Sequence, residues 1–355
     1  MEKYNLANKQ RERNSSIEFL RILAGMAVII LHFNYGSVLA IEQTTGLTHY
    51  ILLVFESICI CAVNVFIFIS GYFGAKSRVI NLSKLIKLLI QTSIFNLIAN
   101  LVVCLLQGQW SVKGILFSIL PINYYVILYV SLMLVAPFIN IVIENLTNSG
   151  LVKLLCISLG LFSIYPTLID VLEEVTGLNL MGLSSISLDG SGAGYTIVNF
   201  VLIYMVAAIL KKIEFIEKYS LKKWIVIYLV SIVMIYIWRL ILPDTAYSYS
   251  NFVMIIETIA VVAIFEKIRL RSRMINMLAP ASFTCFLCHG TILMLIKDKF
   301  NFNYTTISVL GCMIVLVVGI YLLSFVIMIA WNAITRWAYK MTIDRIPVIE
   351  VNENA

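Results

Sequence analysis

An arginine and a histidine stand eleven positions apart in an otherwise apolar run, Arg21 and His32 within the segment from Ile17 to Phe33. At ~100° per residue, eleven positions are about three helical turns plus ~20°, so both side chains leave one face of a helix, roughly 16 Å apart along its axis. An arginine suits phosphate or carboxylate groups. An imidazole can take a proton from a hydroxyl or accept an acyl group. Ionisable side chains are costly inside a bilayer, and those kept there mark function by default.

The elements that must position this pair are membrane helices. Hydrophobic residues make up 61% of the 355 and charged ones 13%, with a mean hydropathy of +0.96, which excludes a soluble globular domain. Ten apolar runs are long enough to be spans: 17–39, 50–73, 82–105, 122–143, 151–169, 195–211, 222–242, 250–268, 280–297 and 306–331. With the N-terminus inside, 21 of the 26 Lys and Arg fall in cytoplasmic segments. Lys113, Lys297 and Lys299 fall outside, and Arg21 and Arg239 lie within spans. The expected fold is therefore all-α, a polytopic bundle of about ten transmembrane helices with both termini cytoplasmic. Its parts are a lead-in over 1–16, a transmembrane domain over 17–340 and a tail over 341–355. Asn14-Ser15-Ser16 is expected to open the first helix, with Glu18 in its first turn.

The net charge of +7 follows from this topology. Its basic residues are dispersed over six segments, which speaks against nucleic acid and for the anionic surface of a lipid bilayer. The first span is too long for the apolar core of a cleaved signal and reads as a retained anchor, so the expected location is the cell membrane, crossed many times. All seven cysteines lie in or near apolar runs and imply no disulfide framework. Cys285-Phe286-Leu287-Cys288-His289 matches the spacing of covalent haem attachment, but it sits in the middle of a span, where that chemistry has no access. No metal and no bound cofactor is expected. Two outer loops are long, 106–121 with Trp110 and Pro121, and 170–194 with Asp170, Glu173, Glu174 and Asp189. The second is read as a solvated acidic connector or as a cover for a polar acceptor.

Depth counted from the span ends puts His32 and His289 each about 12 Å, and Glu56 about 9 Å, below the outer edge. Three titratable groups from three helices are thus at compatible heights. A carboxylate on one imidazole nitrogen would fix the tautomer and support base behaviour at the other. The alternative is that each group separately serves a helix-helix hydrogen bond. Arg239 and Glu257, on adjacent spans at similar depth, are expected to neutralise each other. Near the inner face, Glu18, Arg21, Lys84 and Lys87 form a surplus of positive charge suited to phosphates.

Four segments in order resemble the bacterial membrane acyltransferase 3 family, more narrowly its surface-polysaccharide O-acetyltransferases from Gram-positive bacteria. They are the Arg21 to His32 spacing; Asn64-Val-Phe-Ile-Phe-Ile-Ser70-Gly71-Tyr72-Phe73; Asn123-Tyr124-Tyr125 through Tyr129 to Pro137-Phe138-Ile139-Asn140; and Ser282 to His289. Where many relatives carry paired arginines ending in proline after the second helix, this chain has Lys76-Ser77-Arg78, then Lys84, Lys87 and Gln91. Tyr125 stands where relatives usually have tryptophan. The resemblance implies an O-acyltransferase that takes an acyl group, most simply acetyl, from acyl-CoA to a surface glycan or lipid-linked sugar. Acetyl-CoA would be a co-substrate, with its phosphates against Arg21 and the inner lysines. His32 would act as base or acyl carrier, with His289 and Glu56 as further catalytic candidates. Asn64, Ser70 and Tyr72 would be donors to the thioester or the oxyanion.

Two other classes compete. A proton-coupled small-molecule transporter would use the same buried groups, yet no internal repeat or matching broken helices are visible. A non-catalytic partner of a glycan-synthesis complex would not need Arg21 and His32. A thiol enzyme is disfavoured, because no cysteine has an electropositive setting.

Overall fold

The computed structural model describes residues 14–108, 110–180, 183, 194–300 and 305–351. Its first helix, α1 (Ser15–Leu31), starts where Asn14 caps it: the Asn14 Oδ1 accepts the Ser16 N–H at 3.1 Å. A single π turn, His32–Gly36, ends it. Next come α2 (Gly46–Cys59) and α3 (Ala62–Gly74), which together make one 29-residue span, then α4 (Leu82–Gln107). A short α5 (Val112–Ser118) precedes α6 (Tyr124–Asn145). The next span joins α7 (Asn148–Leu159) through a second π turn to α8 (Tyr165–Thr176). The chain continues as α9 (Ile197–Lys212), α10 (Leu221–Ile241), α11 (Phe252–Lys267), α12 (Arg273–Leu278), α13 (Ala281–Ile296) and α14 (Thr306–Met341).

Helical segments thus occupy all ten expected positions. Seven are long and apolar enough to cross a membrane: α1 with its π turn, α2–α3, α4, α6, α7–α8, α10 and α14. The others, α9, α11 and α13, have 16 residues each. They run ~24 Å against a hydrocarbon thickness of ~30 Å. Short helices sit here because they are enclosed by protein: the middle of α9, from Phe200 to Leu210, is almost wholly buried. The outer helices face the other way, exposing Ile98, Val226, Ile241 and Val315 to what must be lipid.

Close approach and polar pins hold the centre. At Gly71 an added Cβ would run into the backbone carbonyl of Tyr204, so α3 and α9 cross at glycine. The Asn140 side chain donates to the carbonyls of Gly74 (2.9 Å) and Ser77 (2.8 Å), satisfying the end of α3, and accepts from the Tyr204 hydroxyl at 3.2 Å.

Most basic residues gather at one end of the bundle. There Arg78 pairs with Glu144 at 2.8 Å, and Lys212 donates to the carbonyls of Ile143, Glu144 and Leu146. Ser16 and Ser15 accept from the N–H groups of Leu270 and Ser272, at 2.9 and 3.1 Å. The tail returns to the same end. Its strand β2 (Ile349–Glu350) pairs antiparallel with β1 (Val79–Ile80), which docks the tail against the connection between α3 and α4.

Three expectations are corrected. The 106–121 loop contains helix α5, because Ser111 caps it through the Gly114 N–H at 3.1 Å. The acidic stretch begins inside a helix, with Asp170, Glu173 and Glu174 on α8. Glu174 accepts from Asp244 N, Thr245 N and the Thr245 hydroxyl, at 2.9, 3.1 and 2.7 Å, so this acid anchors the loop opposite. Asp189 and most of the remaining loop fall outside the described residues. Finally, α14 runs on to Met341, ten residues past its expected end, and at ~54 Å it projects beyond the bilayer.

Candidate active site

Two contacts set α13 parallel to α1. Near the basic end the Ser282 hydroxyl donates to the Arg21 carbonyl at 3.1 Å and lies 2.9 Å from the Tyr321 hydroxyl. Seven residues on, ~10 Å further along the axis, His289 meets His32. The two rings are 4.6 Å apart between centroids and nearly perpendicular, at 74°. The structure thus brings together the two histidines considered from sequence, and not Glu56.

The backbone shapes each imidazole. His289 Nδ1 lies 3.0 Å from the Cys285 carbonyl oxygen. A carbonyl can only accept, so Nδ1 carries the proton and Nε2 keeps its lone pair. That Nε2 is buried without a hydrogen-bond partner among the described residues. An orphaned buried acceptor beside a second histidine is the strongest local sign of a place kept for a reacting group. His32 is half-buried and opens the π turn, a feature common at functional sites. At Gly36, on the last residue of that turn, a Cβ would strike the His32 ring at Nδ1. Gly36 was not singled out from sequence, although a glycine four places after a candidate histidine was there to be seen.

Toward the basic end of α1, Arg21 is held by Glu18 at 2.9 Å. Arg21 borders a cavity of about 280 Å³ shared with Phe66, Ser70, Leu88, Tyr125 and Tyr129. The Ser70 and Tyr129 hydroxyls are 3.2 Å apart on its wall, and Ser70 donates to the Phe66 carbonyl. Aromatic rings connect this cavity to the histidines. Tyr125 packs on Phe286 at 5.0 Å between centroids, and Phe286 lies 5.9 Å from His289. Neither Tyr129 nor Phe286 was proposed from sequence as a site residue; both appear only when α6 and α13 are brought together.

The other nominated residues lie elsewhere. Glu56 is buried and accepts from the Asn34 amide at 2.8 Å, so its hydrogen bond goes to the π turn beyond His32 rather than to either imidazole. Asn64 donates to the Tyr249 carbonyl at 3.0 Å and accepts from Asn199, which ties α3 to α9. Tyr72 donates to Glu217 and accepts from Lys211 at the basic end. Lys84 is exposed in the first turn of α4. Lys87 is ion-paired with Asp344 of the returning tail and lies 5.3 Å over the Tyr339 ring.

Arg239 and Glu257 are not a pair. Arg239 reaches to the outer end, donating to the Tyr35 hydroxyl at 2.6 Å and to the Pro243 carbonyl, with the Tyr35 and Tyr247 rings 5.4 and 5.3 Å away. Its long stem lets the charge leave the apolar interior. Glu257 stays fully buried, with no cation paired to it among the described residues and the Cys61 thiol as its neighbour.

A multi-pass helical bundle with a histidine pair buried in it, and an arginine-lined cavity further down the same helix, is the frame of a membrane enzyme. A family model described as an acyltransferase domain, Acyl_transf_3, matches residues 14–335, and the chain belongs to this acyltransferase 3 family. It is a membrane acyltransferase. No curated protein and no solved structure matches it significantly.

Proposed function

We propose that the protein transfers an acyl group, most simply acetyl, from acyl-CoA on the cytoplasmic side to a hydroxyl of a cell-surface polysaccharide or lipid-linked sugar. The observation that carries this reading is the His32–His289 contact, with its orphaned Nε2, on the helix that also bears Arg21 at the edge of a cavity. The basic end faces the cytoplasm by the positive-inside rule. Arg21 binds a phosphate or carbonyl oxygen of the donor, with Glu18 fixing the guanidinium and leaving its other N–H groups for the ligand. Lys84, exposed in the first turn of α4, supplies further positive charge at the same end, whereas Lys87 is occupied by Asp344.

The thioester extends along the Tyr125–Phe286 wall toward the histidines. His32 removes the proton from the acceptor hydroxyl as its oxygen attacks the thioester carbon. The C–S bond breaks, coenzyme A leaves as the thiol after taking up the proton, and the acyl ester departs on the opposite side. Tyr129 on the cavity wall donates to the carbonyl oxygen, oriented by Ser70, whose own proton goes to the Phe66 carbonyl. His289 holds the acceptor or the second imidazole in place.

The test is the O-acetyl content of surface glycans, by mass spectrometry, in cells lacking the protein and complemented at equal membrane abundance. Acetylation restored by the wild type and not by His32→Ala supports the reading. Restoration by both removes His32 from the mechanism, and unchanged acetylation in every strain rejects a glycan acceptor.

A further inference from the structure

A second cavity system lies on the lipid-facing side of α10 and α11, and the transfer reaction does not use it. Where α10 begins, at the basic end, Tyr219, Lys222, Lys223 and Trp224 line a cavity of about 670 Å³ whose other walls include Val226 and Ile256. A narrower cavity of about 260 Å³ shares Val226 and Ile256 and continues along the same helices past Val230 to Met234. From Lys222 to Met234 is ~18 Å along the helix axis. That slightly exceeds the ~15 Å depth of one bilayer leaflet's hydrocarbon.

Charge is confined to the wide end. The Trp224 indole N–H donates to the Ile216 carbonyl at 3.2 Å, fixing an aromatic floor on which Tyr219 packs at 5.8 Å. The Lys223 Nζ lies 5.4 Å over the Tyr219 ring, and Lys222 is exposed beside it. Neither lysine belongs to an ion pair among the described residues, whereas Lys87 and Lys211 at the same end do. Two lysines without an ion pair among the described residues, at the edge of an apolar cavity that continues into a trough about one leaflet long, have the charge and shape for one kind of molecule.

We propose that this groove binds one anionic diacyl phospholipid. Its phosphate sits at Lys222 and Lys223, and one acyl chain lies against Val226, Val230 and Ile256. The site strengthens the α10–α11 pair from the lipid side and makes the protein sensitive to the anionic lipid content of its membrane.

The experiment is native mass spectrometry of the purified full chain in detergent, offered equal amounts of dioleoyl phosphatidylglycerol and dioleoyl phosphatidylcholine. The wild type should retain the anionic lipid about tenfold more than the zwitterionic one. Lys222→Gln with Lys223→Gln should remove that preference, and Val230→Trp, which fills the trough, should lower retention of the anionic lipid with both lysines intact. Arg269→Gln with Arg271→Gln, exposed cations at the same end but outside the groove, should keep the preference. Equal retention of the two lipids by the wild type, loss of preference in the arginine control, or full retention by Val230→Trp would each overturn the proposal.

Discussion

Two buried polar clusters in this bundle are built to opposite rules. Around Asn140 the side-chain amide serves the Gly74 and Ser77 carbonyls and its oxygen accepts from Tyr204, so both ends of the amide are matched. Around His32 and His289 two imidazoles meet, and the His289 Nε2 is left without a partner among the described residues. Unmatched buried groups cost stability and matched ones do not. The first cluster therefore holds helices, and the second, on the proposed function, gives up stability for a place where a substrate can complete it. Substitution should separate them: activity falls at one, folding at the other.

The largest effect is expected at His32, where His32→Ala should lower acyl transfer about 10²- to 10⁴-fold at unchanged membrane abundance, measured as product formed per folded protein. A fall in abundance matching the fall in transfer would erase the contrast. Arg21→Gln should come next, raising the apparent KM for acyl-CoA roughly tenfold to a hundredfold while sparing thermal stability, since charged hydrogen bonds are worth ~1.5–3 kcal/mol. Gly36→Ala sharpens the comparison from within the histidine cluster. The added methyl meets His32 Nδ1, so kcat should drop about tenfold while KM for the donor stays unchanged.

Asn140→Leu tests the matched cluster. It should cost about 1–3 kcal/mol, read as a lower unfolding temperature, with kcat per folded molecule preserved. The smallest effect belongs to Asp344→Asn. Its pair with Lys87 is partly exposed, so stability should move by less than ~1 kcal/mol in a thermal melt.

Particular residues show where sequence is sufficient and where it is not. The cap at Asn14, the ten helical positions and the common face of Arg21 and His32 are local, because hydropathy and helical period act within one segment. The meeting of His32 with His289 follows from equal depth on two helices. Depth alone misleads at Glu56 and at Arg239 with Glu257: it gives height along the bundle and not direction around a helix. Glu56 turns to Asn34, Arg239 climbs to Tyr35 and Pro243, and Glu257 stays buried apart from Arg239, near Cys61. Asn64 and Tyr72, on the same helix as Ser70, point to other neighbours for the same reason. The pairing of Lys87 with Asp344 joins residues 257 positions apart and leaves no trace in local pattern.

The most direct test of the histidine pair as the transfer centre is transfer from radiolabelled acetyl-CoA by purified protein in lipid nanodiscs, comparing wild type, His32→Asn and His289→Asn. Each should unfold within a few degrees of the wild type. The account predicts label moved to a sugar acceptor by the wild type, its loss in His32→Asn, and a reduced rate in His289→Asn. Full-rate transfer by a folded His32→Asn protein would contradict it.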